Sequence, residues 1–501
     1  MLKVYVTMTT VMTMDSPDQD SKVKAQTKAA VKDESLRIDI KENDAKDVMR
    51  DEMLLMYNVV KWCVLAVVTG VAVGIVAGVF LLVLHTSINY AMRLDKMRYF
   101  LLFPGLMISW CLVRTLAPQS AGHGTEAVID AIHNRERTLI DVKAVPVKIV
   151  GTVITISSGG SVGIEGPCAQ IGSGVSYVLG KIFRLDESDM KNIIICGIAA
   201  GFCAVFGTPI AGAIFAVEVL SVGKIFYNVL LPALISGIVG FFTASALGAE
   251  HVSAYMLAIP NLTPSILAAA FGGGIFFGII AICNIEGLHM VKSFFKRCGI
   301  VGWKGPIAGA CMLLAIGAIF GGEFLGLGSD TIRAMISGNL NLPHGFIIKI
   351  LAMGITLAAG GCGGEITPTL FIGASSGLLF ARMTGLDPAF CAALGSAAVL
   401  AASTNTPISG TVLAMELFGA PIAAYAGIAC SVAYIAVGHR SLYPTQILVS
   451  PKARTFVITH TESGEQLERK GPRISPHMAA RLLVKKYKLK RKLEKKQGKK
   501  D

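Results

Sequence analysis

Hydrophobic residues along this chain form two long apolar runs and then a series of shorter ones. Residues 59–84 make the first run and residues 100–116 the second, and the first exceeds the roughly 20 residues that a helix needs to cross a bilayer. The later segments are uneven and interrupted by glycine and proline. They cover residues 143–158, 167–183, 192–206, 208–220, 227–248, 264–288, 305–320, 346–361, 367–383, 388–402, 407–418 and 421–437. Such short segments predict helices that end near the middle of a membrane, which is tolerated only where the ends are buried in protein or line a cavity.

An internal repeat relates the two halves of the apolar region. Residues 197–218 align without gaps with residues 395–416, and both stretches contain a Thr-Pro-Ile motif and, further on, a glutamate. Upstream, residues 167–172 resemble residues 368–373 at almost the same separation. Two homologous halves with interrupted helices at corresponding places are typical of transporters, whose sites lie at the interface between the repeats.

Composition supports a membrane location. The chain of 501 residues is 53% hydrophobic and 16% charged, with a mean hydropathy of +0.61, whereas soluble chains carry about 25% charged residues. The net charge of +13 is concentrated at one end, where lysines and arginines crowd residues 485–500. A basic run beside membrane spans indicates a cytoplasmic flank that contacts anionic lipid, so we expect no nucleic-acid partner.

No motif in the sequence indicates an enzyme, a metal site or a cofactor. The 11 cysteines are scattered singly, without metal-ligand or disulfide spacing, and are interpreted as small apolar core residues. Residues 373–377 match the G-x-S-x-G nucleophile motif, but this motif needs a preceding strand and here lies within an apolar segment. We therefore expect no catalytic residues, no metal and no cofactor.

The chain divides into four predicted regions. Residues 1–54 are interpreted as a charged cytoplasmic leader, residues 55–250 and 251–447 as two membrane repeats, and residues 448–501 as a basic cytoplasmic tail. The tail is too basic to fold alone.

An acidic residue, Glu165, lies in the middle of the glycine-rich apolar region and is followed by Pro167. Proline is favoured in the first turn of a helix, so Glu165 is expected at a helix N-terminus. The unpaired N–H groups and the positive dipole of such an end bind anions. A carboxylate placed there is a tethered anion that can occupy the site or leave it. The alternative is that Glu165 only caps the helix.

Taken together, these stretches resemble the CLC family of chloride channels and anion/proton exchangers, over about residues 57–447. Two motifs lie where the family has anion-binding loops, one matches its Gly-Lys/Arg-Glu-Gly-Pro sequence, and one tyrosine matches its pore tyrosine. In chain order the matches are Gly122–Glu126, Lys148 by its spacing, Gly163–Pro167, Gly363–Pro368 and Tyr443. Any single motif is weak, and the ordered set on a repeated scaffold carries the resemblance.

The resemblance implies an all-α integral membrane protein with a CLC-type fold, in which two inverted-topology repeats of tilted and broken helices form each subunit of a homodimer. It also implies that Glu165 is the gate and that helix ends and backbone N–H groups bind the anion. Such groups replace part of the hydration energy that the anion loses on entering the protein. They bind the anion less tightly than a buried lysine or arginine would, so that it can leave again. The anion-binding positions carried over are His123, Gly124, Glu365, Ile366 and Tyr443. The alternative for Tyr443 is a tyrosine of the membrane interface.

Three residues depart from the family's motifs. His123 stands where the family usually has serine, and either its imidazole donates a hydrogen bond or it points away while the flanking glycines supply backbone donors. Ile164 replaces the cation beside the gate, which leaves Lys148 as the candidate for electrostatic support. Glu365 occupies a normally apolar position, so its side chain faces water or pairs with a cation and only its amide is assigned to the site.

Val219 bears on proton coupling. The family's exchangers generally carry an inner proton-relay glutamate at this position, directly after the acid that Glu218 matches, and valine cannot carry a proton. Channel members also lack a carboxylate there, and some exchanger branches manage without one. Glu218 and its repeat partner Glu416 are interpreted as structural acids within the helix bundle.

The leading hypothesis is a passive chloride channel gated by Glu165. The alternatives are a chloride/proton antiporter and a fluoride exporter of the same fold, the latter kept open by His123 and Glu365. The expected partners are chloride or other small anions, a second copy of the chain and membrane lipid. The expected location is the cell membrane, as a multi-pass protein of a bacterial or archaeal inner membrane with both termini in the cytoplasm.

Overall fold

The computed structural model of the protein describes residues 45–133, 140–250, 257–452, 456–461 and 464–469. The chain divides into two compact units, Met1–Lys61 and Trp62–Asp501. In the first unit, residues 45–61 are described and are helical. Residues 1–44 of the expected leader and residues 470–501 of the expected basic tail lie outside the described residues.

Helices dominate the described part of the chain. Proline begins four of the described helices, where its missing N–H costs no helical hydrogen bond. In chain order the described α-helices are α1 Ala45–Met92, α2 Leu102–Leu116, α3 Thr125–His133, α4 Ala144–Ser157, α5 Glu165–Ile182, α6 Glu187–Phe206, α7 Pro209–Glu218, α8 Leu230–Ala246, α9 Pro264–Arg297, α10 Lys304–Phe320, α11 Ser329–Ile336, α12 Gly345–Ala358, α13 Ile366–Thr384, α14 Pro388–Thr404, α15 Pro407–Phe418 and α16 Ala423–Ala436.

Most helices in the described residues belong to one of two length classes. Six helices are long and apolar enough to cross a membrane, namely α1, α6, α9, α13, and α2 and α8 with the short turns that precede them. Seven further apolar helices have only 10–17 residues, fewer than a bilayer needs. Each apolar segment read from the sequence coincides with a helix, thirteen of them with the helices just named and the segment 167–183 with α5, so the expected mixture of long and short helices is confirmed.

Close helix crossings form the core of each repeat. Helix α5 packs on α6, and α13 packs on α14. A Cβ atom on Gly197 would lie 2.3 Å from the carbonyl oxygen of Gly172, and one on Gly395 would lie 2.4 Å from that of Gly373. Only glycine allows two helix backbones to approach this closely. The glycines occupy matching positions of the sequence repeat, so the same crossing is built twice.

A glycine bridge joins the two repeats at their centre. Gly163, just before α5, and Gly364, just before α13, donate their N–H groups to each other's carbonyl oxygens, both at 2.7 Å. The bridge places the N-termini of α5 and α13 side by side. Because both ends carry unpaired N–H groups, their positive dipoles converge on one region of the protein.

Two glutamates cap helices of the opposite repeat. Glu218, at the end of α7, accepts hydrogen bonds from the N–H groups of Ile408 and Ser409 in α15, at 3.1 and 2.8 Å. Glu416, in α15, accepts from the two corresponding groups at the start of α7, at 3.1 and 2.7 Å. A negative charge is favourable at a helix N-terminus, so each carboxylate stabilises the other repeat. These contacts agree with the interpretation of both residues as structural acids.

Strands are few and short in the described residues. Strand β1, Ser221–Val222, pairs in parallel with β2, Ile447–Leu448. Strand β3, Phe456–Thr461, pairs antiparallel with β4, Gly464–Arg469. The β1–β2 pair connects the segment after α16 to the segment that follows α7. The boundaries of the four regions drawn from the sequence stay predictions.

Candidate anion site

The carboxylate of Glu165 lies at the N-terminus of α13, in the other repeat. Its Oε2 atom accepts hydrogen bonds from the N–H groups of Ile164 and Thr367, both at 3.1 Å, and the hydroxyl of Thr367 donates to Oε1. The side chain is 2% exposed. Because a helix N-terminus favours negative charge, this carboxylate occupies a position that a free anion could take. The gating role of Glu165 stays a prediction.

The loop before α3 packs directly on the start of α5. Gly122 and Gly124 have φ angles of +71° and +84°, in the left-handed region that favours glycine. A Cβ atom on Gly124 would lie 2.6 Å from the carbonyl oxygen of Gly166, and one on Gly166 would lie 2.1 Å from that of His123. These glycines therefore bring the loop against the helix end that carries Glu165.

Lys148, a fully buried residue of α4, holds this loop in place. Its Nζ donates hydrogen bonds to the carbonyl oxygens of Ser120 and Gly122, at 3.1 and 2.6 Å. Its counterpart in the second repeat, Lys349 of α12, donates in the same way to two carbonyl oxygens of the segment before α11, at 3.2 and 3.3 Å. A buried ammonium group needs such partners. Lys148 thus positions the loop, and its electrostatic support of the gate stays a prediction.

His123 and Glu365 form a close pair beside Glu165. The Nδ1 atom of His123 lies 2.5 Å from Oε1 of Glu365, and the two side chains are 4% and 1% exposed. On the other side of the ring, Nε2 lies 3.3 Å from Nζ of Lys292 in α9 and 3.8 Å from Oε2 of Glu126 in α3. The imidazole therefore does not point away, since both ring nitrogens face charged side chains. Its assignment as an anion-binding residue stays a prediction.

The second candidate anion-binding loop lies at the start of α13. Ile366 is the first residue of this helix and is fully buried, with Glu365 directly before it. The N–H group that contacts Glu165 belongs to Thr367, which the sequence interpretation did not single out. Its signal was its place directly before Pro368, in the first helical turn, where N–H groups are unpaired.

Tyr443 is buried near the two acids Glu365 and Glu165. Its side chain is 1% exposed, and its hydroxyl lies close enough to the carboxylates of Glu365 and Glu165 to interact with them electrostatically. This burial argues against the alternative of a tyrosine at the membrane interface. The role of its hydroxyl in anion binding stays a prediction.

Val219, directly after α7, contacts the segment that carries Tyr443. Its side chain is fully buried. Its carbonyl oxygen accepts a hydrogen bond from Nε2 of Gln446 at 2.6 Å, and the same amide donates to the carbonyl oxygen of Thr404 at 2.9 Å. The side chain at this position therefore offers no group that could accept a proton.

Two cavities lie on one side of Glu165. A vestibule of about 580 Å³ and a smaller space of about 40 Å³ share the lining residues Ile164, Val205 and Ser329. Glu165 and Phe418 line the smaller one. This adjacent space gives the Glu165 side chain somewhere to go when it leaves the N-terminus of α13.

Comparisons with known sequences agree with this geometry. The sequence model of a family described as "Voltage gated chloride channel" matches residues 105–438. A "Chloride/fluoride channel protein" of Pseudomonas syringae pv. tomato is 31% identical over 405 residues, which covers 79% of this chain and 88% of that protein. An "H(+)/Cl(-) exchange transporter ClcA" of Yersinia pestis is 24% identical over 383 residues, which covers 71% of this chain and 79% of that protein.

Solved structures give the same result. The crystal structure of a CLC-type fluoride/proton antiporter has a TM-score of 0.73 at 30% identity and covers 78% of this chain and 99% of its own. The structure of a slow cyanobacterial Cl⁻/H⁺ antiporter has a TM-score of 0.66 at 20% identity and covers 75% of this chain and 94% of its own. At this identity the similarity supports the fold and no more. The expected CLC-type fold is confirmed. With the family model matching most of its length, the chain belongs to the voltage-gated chloride channel (CLC) family of multi-pass anion-transport proteins.

Proposed function

We propose that the chain exports fluoride in exchange for protons. The observation that carries the proposal is a second buried carboxylate, Glu365, which stands before α13 in the same cluster of helix N-termini as Glu165. An ionised acid at that place repels a passing anion. A protonated acid loses this repulsion and supplies an O–H donor. Proton uptake and anion binding at such a site therefore favour each other.

Fluoride suits a site built from hydroxyl and N–H donors. A small anion gives up much hydration energy on entering the protein, so strong, short hydrogen bonds must replace the lost water. The N–H groups of Ile164 and Thr367, the hydroxyl of Tyr443 and the O–H groups of the protonated acids are donors of this kind. Two relatives support this choice, one described as a chloride/fluoride channel protein at 31% identity and one as a fluoride/proton antiporter at 30% identity.

The exchange uses Glu165 as a tethered competitor of the anion. When ionised, its carboxylate fills the N-terminus of α13 and excludes fluoride. When protonated, it is held less strongly by the N–H groups and dipole there, and it moves toward the adjacent cavity. Fluoride then takes the position that the carboxylate leaves. In this proposal the chain is a transporter of the cell membrane and not an enzyme.

A passive anion channel is the second candidate, and Val219 favours it. A buried valine at the inner relay position breaks one route by which protons could be coupled to the anion. In a channel, Glu365 would be paired with His123 for structural reasons only. A chloride/proton antiporter differs from the main proposal only in its anion.

The test uses purified full-length protein in liposomes loaded with potassium fluoride or potassium chloride, with valinomycin to hold the voltage near zero and equal pH on both sides. We expect fluoride efflux to drive protons into the vesicles, so that the weakly buffered outside becomes more alkaline. Fluoride should outpace chloride by about tenfold or more, because selectivity is a difference in binding free energy. Protein-free vesicles measure the leak of HF.

Variants separate the candidates. Glu165→Gln should abolish proton movement while anion efflux continues, whereas Glu187→Gln, at an exposed acid paired with Lys191 in α6, should behave as wild type. Anion efflux without proton movement in the wild-type protein would establish the channel instead. Equal coupling with chloride and fluoride would establish a less selective exchanger.

A further inference from the structure

We propose that His123 relays protons between Glu126, which is open to water, and the buried Glu365. The inference rests on the proposed proton-coupled function and supplies a route by which protons reach the buried acids. It starts from the geometry of the imidazole, whose two nitrogens face opposite ways. Nδ1 lies 2.5 Å from the carboxylate of Glu365, and Nε2 lies 3.8 Å from that of Glu126.

Exposure falls steeply along this row of side chains. Glu126 is 34% exposed, whereas His123 and Glu365 are 4% and 1% exposed. Glu365 therefore has no direct path to water through its own surface. The imidazole is the group that spans the distance between the two carboxylates, and an imidazole can accept a proton at one nitrogen while it gives one up at the other.

Lys292 sets the resting state of the ring. Its Nζ lies 3.3 Å from Nε2 and is a donor only, so Nε2 is the acceptor and the ring proton is on Nδ1, the nitrogen that lies 2.5 Å from Glu365. Lys292 belongs to the charged end of α9, where lysines and arginines mark the boundary between membrane and water. The row therefore begins in a region that protons can reach.

The charged and titratable groups around the ring come from five places. Glu126 belongs to α3, Lys292 to α9, and Glu365 to the start of α13. The Lys148 ammonium, in α4, and the Tyr443 hydroxyl interact electrostatically with Glu365. Each ring nitrogen therefore faces a carboxylate, and Nε2 also faces an ammonium group.

The relay step conserves every proton. Glu126 in its acid form breaks its O–H bond, and Nε2 gains that proton in place of the hydrogen bond from Lys292. The Nδ1–H bond then breaks, and an O–H bond forms on Oε1 of Glu365. The imidazole is neutral before and after, with its proton moved from Nδ1 to Nε2. Rotation of the ring about its Cβ–Cγ bond returns an N–H group to the Glu365 side.

The test compares proton flux with fluoride flux in liposomes, as measured for the wild-type protein. His123→Gln keeps a polar side chain that cannot relay a proton, and Glu126→Gln removes the outer donor while leaving the buried pair intact. Both should lower the ratio of protons to fluoride by about tenfold or more, because the loss of a proton-transfer group usually slows the transfer by about 10²–10⁴-fold. The matched controls are His289→Gln, an exposed histidine of α9, and Glu187→Gln.

Chemical rescue distinguishes a relay from a structural role. In His123→Ala, added imidazole should restore proton flux in a dose-dependent way and leave fluoride flux unchanged, which a merely structural histidine would not show. If wild type is coupled and both His123→Gln and Glu126→Gln keep the full proton ratio, the relay is wrong and the proposed function stands. If wild type itself moves fluoride without protons, the proposed function fails and the relay fails with it.

Discussion

At the scale of single residues, Thr367 is the side chain that holds Glu165 in the anion position. It gives the carboxylate two donors, a backbone N–H group and a hydroxyl. Neither donor is charged, so the carboxylate is held without a salt bridge that would lock it in place. The strength of these two hydrogen bonds should determine how easily an anion displaces Glu165.

Substitution of Thr367 by valine tests the contribution of the hydroxyl, because it removes this group and keeps the side-chain shape and the backbone N–H group. A hydrogen bond to a charged group contributes about 1.5–3 kcal/mol, so the half-maximal anion concentration for flux should fall roughly tenfold. The measurement is flux against anion concentration in liposomes. Thr384→Val is the control, since that hydroxyl donates to a carbonyl oxygen of its own helix. An unchanged half-maximal concentration would show that the hydroxyl does not restrain the gate.

At the scale of elements, the crossing of α13 and α14 depends on missing side chains. Gly373 and Gly395 face each other where the two backbones meet, and Phe277 of α9 packs against the same point. The approach leaves no room for a methyl group. Since Glu365 and Thr367 lie at the N-terminus of α13, this crossing also fixes the position of the candidate anion site.

Gly395→Ala should therefore destabilise the protein. The added Cβ would lie 2.4 Å from the carbonyl oxygen of Gly373, which forces the backbones apart at a cost of about 1–3 kcal/mol. We expect a lower thermal unfolding midpoint in detergent. Gly272→Ala in α9 is the control, because nothing lies within 4 Å of its added Cβ, and its better helix propensity should leave the midpoint equal or slightly higher. Equal midpoints for the two variants would contradict the tight crossing.

Sequence periodicity predicted most helices and missed the two shortest. The apolar runs matched α1, α2, α4 to α10 and α12 to α16 because lipid and core both demand hydrophobic surface. Helices α3 and α11 have nine and eight residues and only one apolar face. The spacing of Val128, Ile129 and Ile132 was the available signal for α3.

The site was only partly predictable for a related reason. Motif spacing placed Glu165 at a helix N-terminus, as the structure has it. It could not pair His123 with Glu365 or bring Lys292 beside them, because these residues are far apart in the chain and meet only through the packing of three helices. Contacts between the two repeats depend on the tertiary structure, and a local sequence pattern does not predict them.

At the scale of the whole molecule, the resemblance to the CLC family predicts a homodimer. A single chain already brings the two helix N-termini together, so assembly is not needed to build the candidate anion site. We expect the protein mass in detergent, measured by light scattering with correction for bound detergent, to be twice the 52.8 kDa of the chain. A mass of one chain at concentrations that support transport would rule out an obligate dimer.

The glycine bridge between the repeats has a consequence for the sidedness of the pathway. Inverted repeats present the same backbone to both faces of the membrane, so the backbone cannot by itself distinguish inside from outside. At the positions next to the bridge, Glu165 corresponds to Ile366, and Ile164 corresponds to Glu365. One acid and one isoleucine have exchanged places between otherwise equivalent positions. The two sides of this nearly symmetric backbone therefore differ in which position next to the bridge carries the acid.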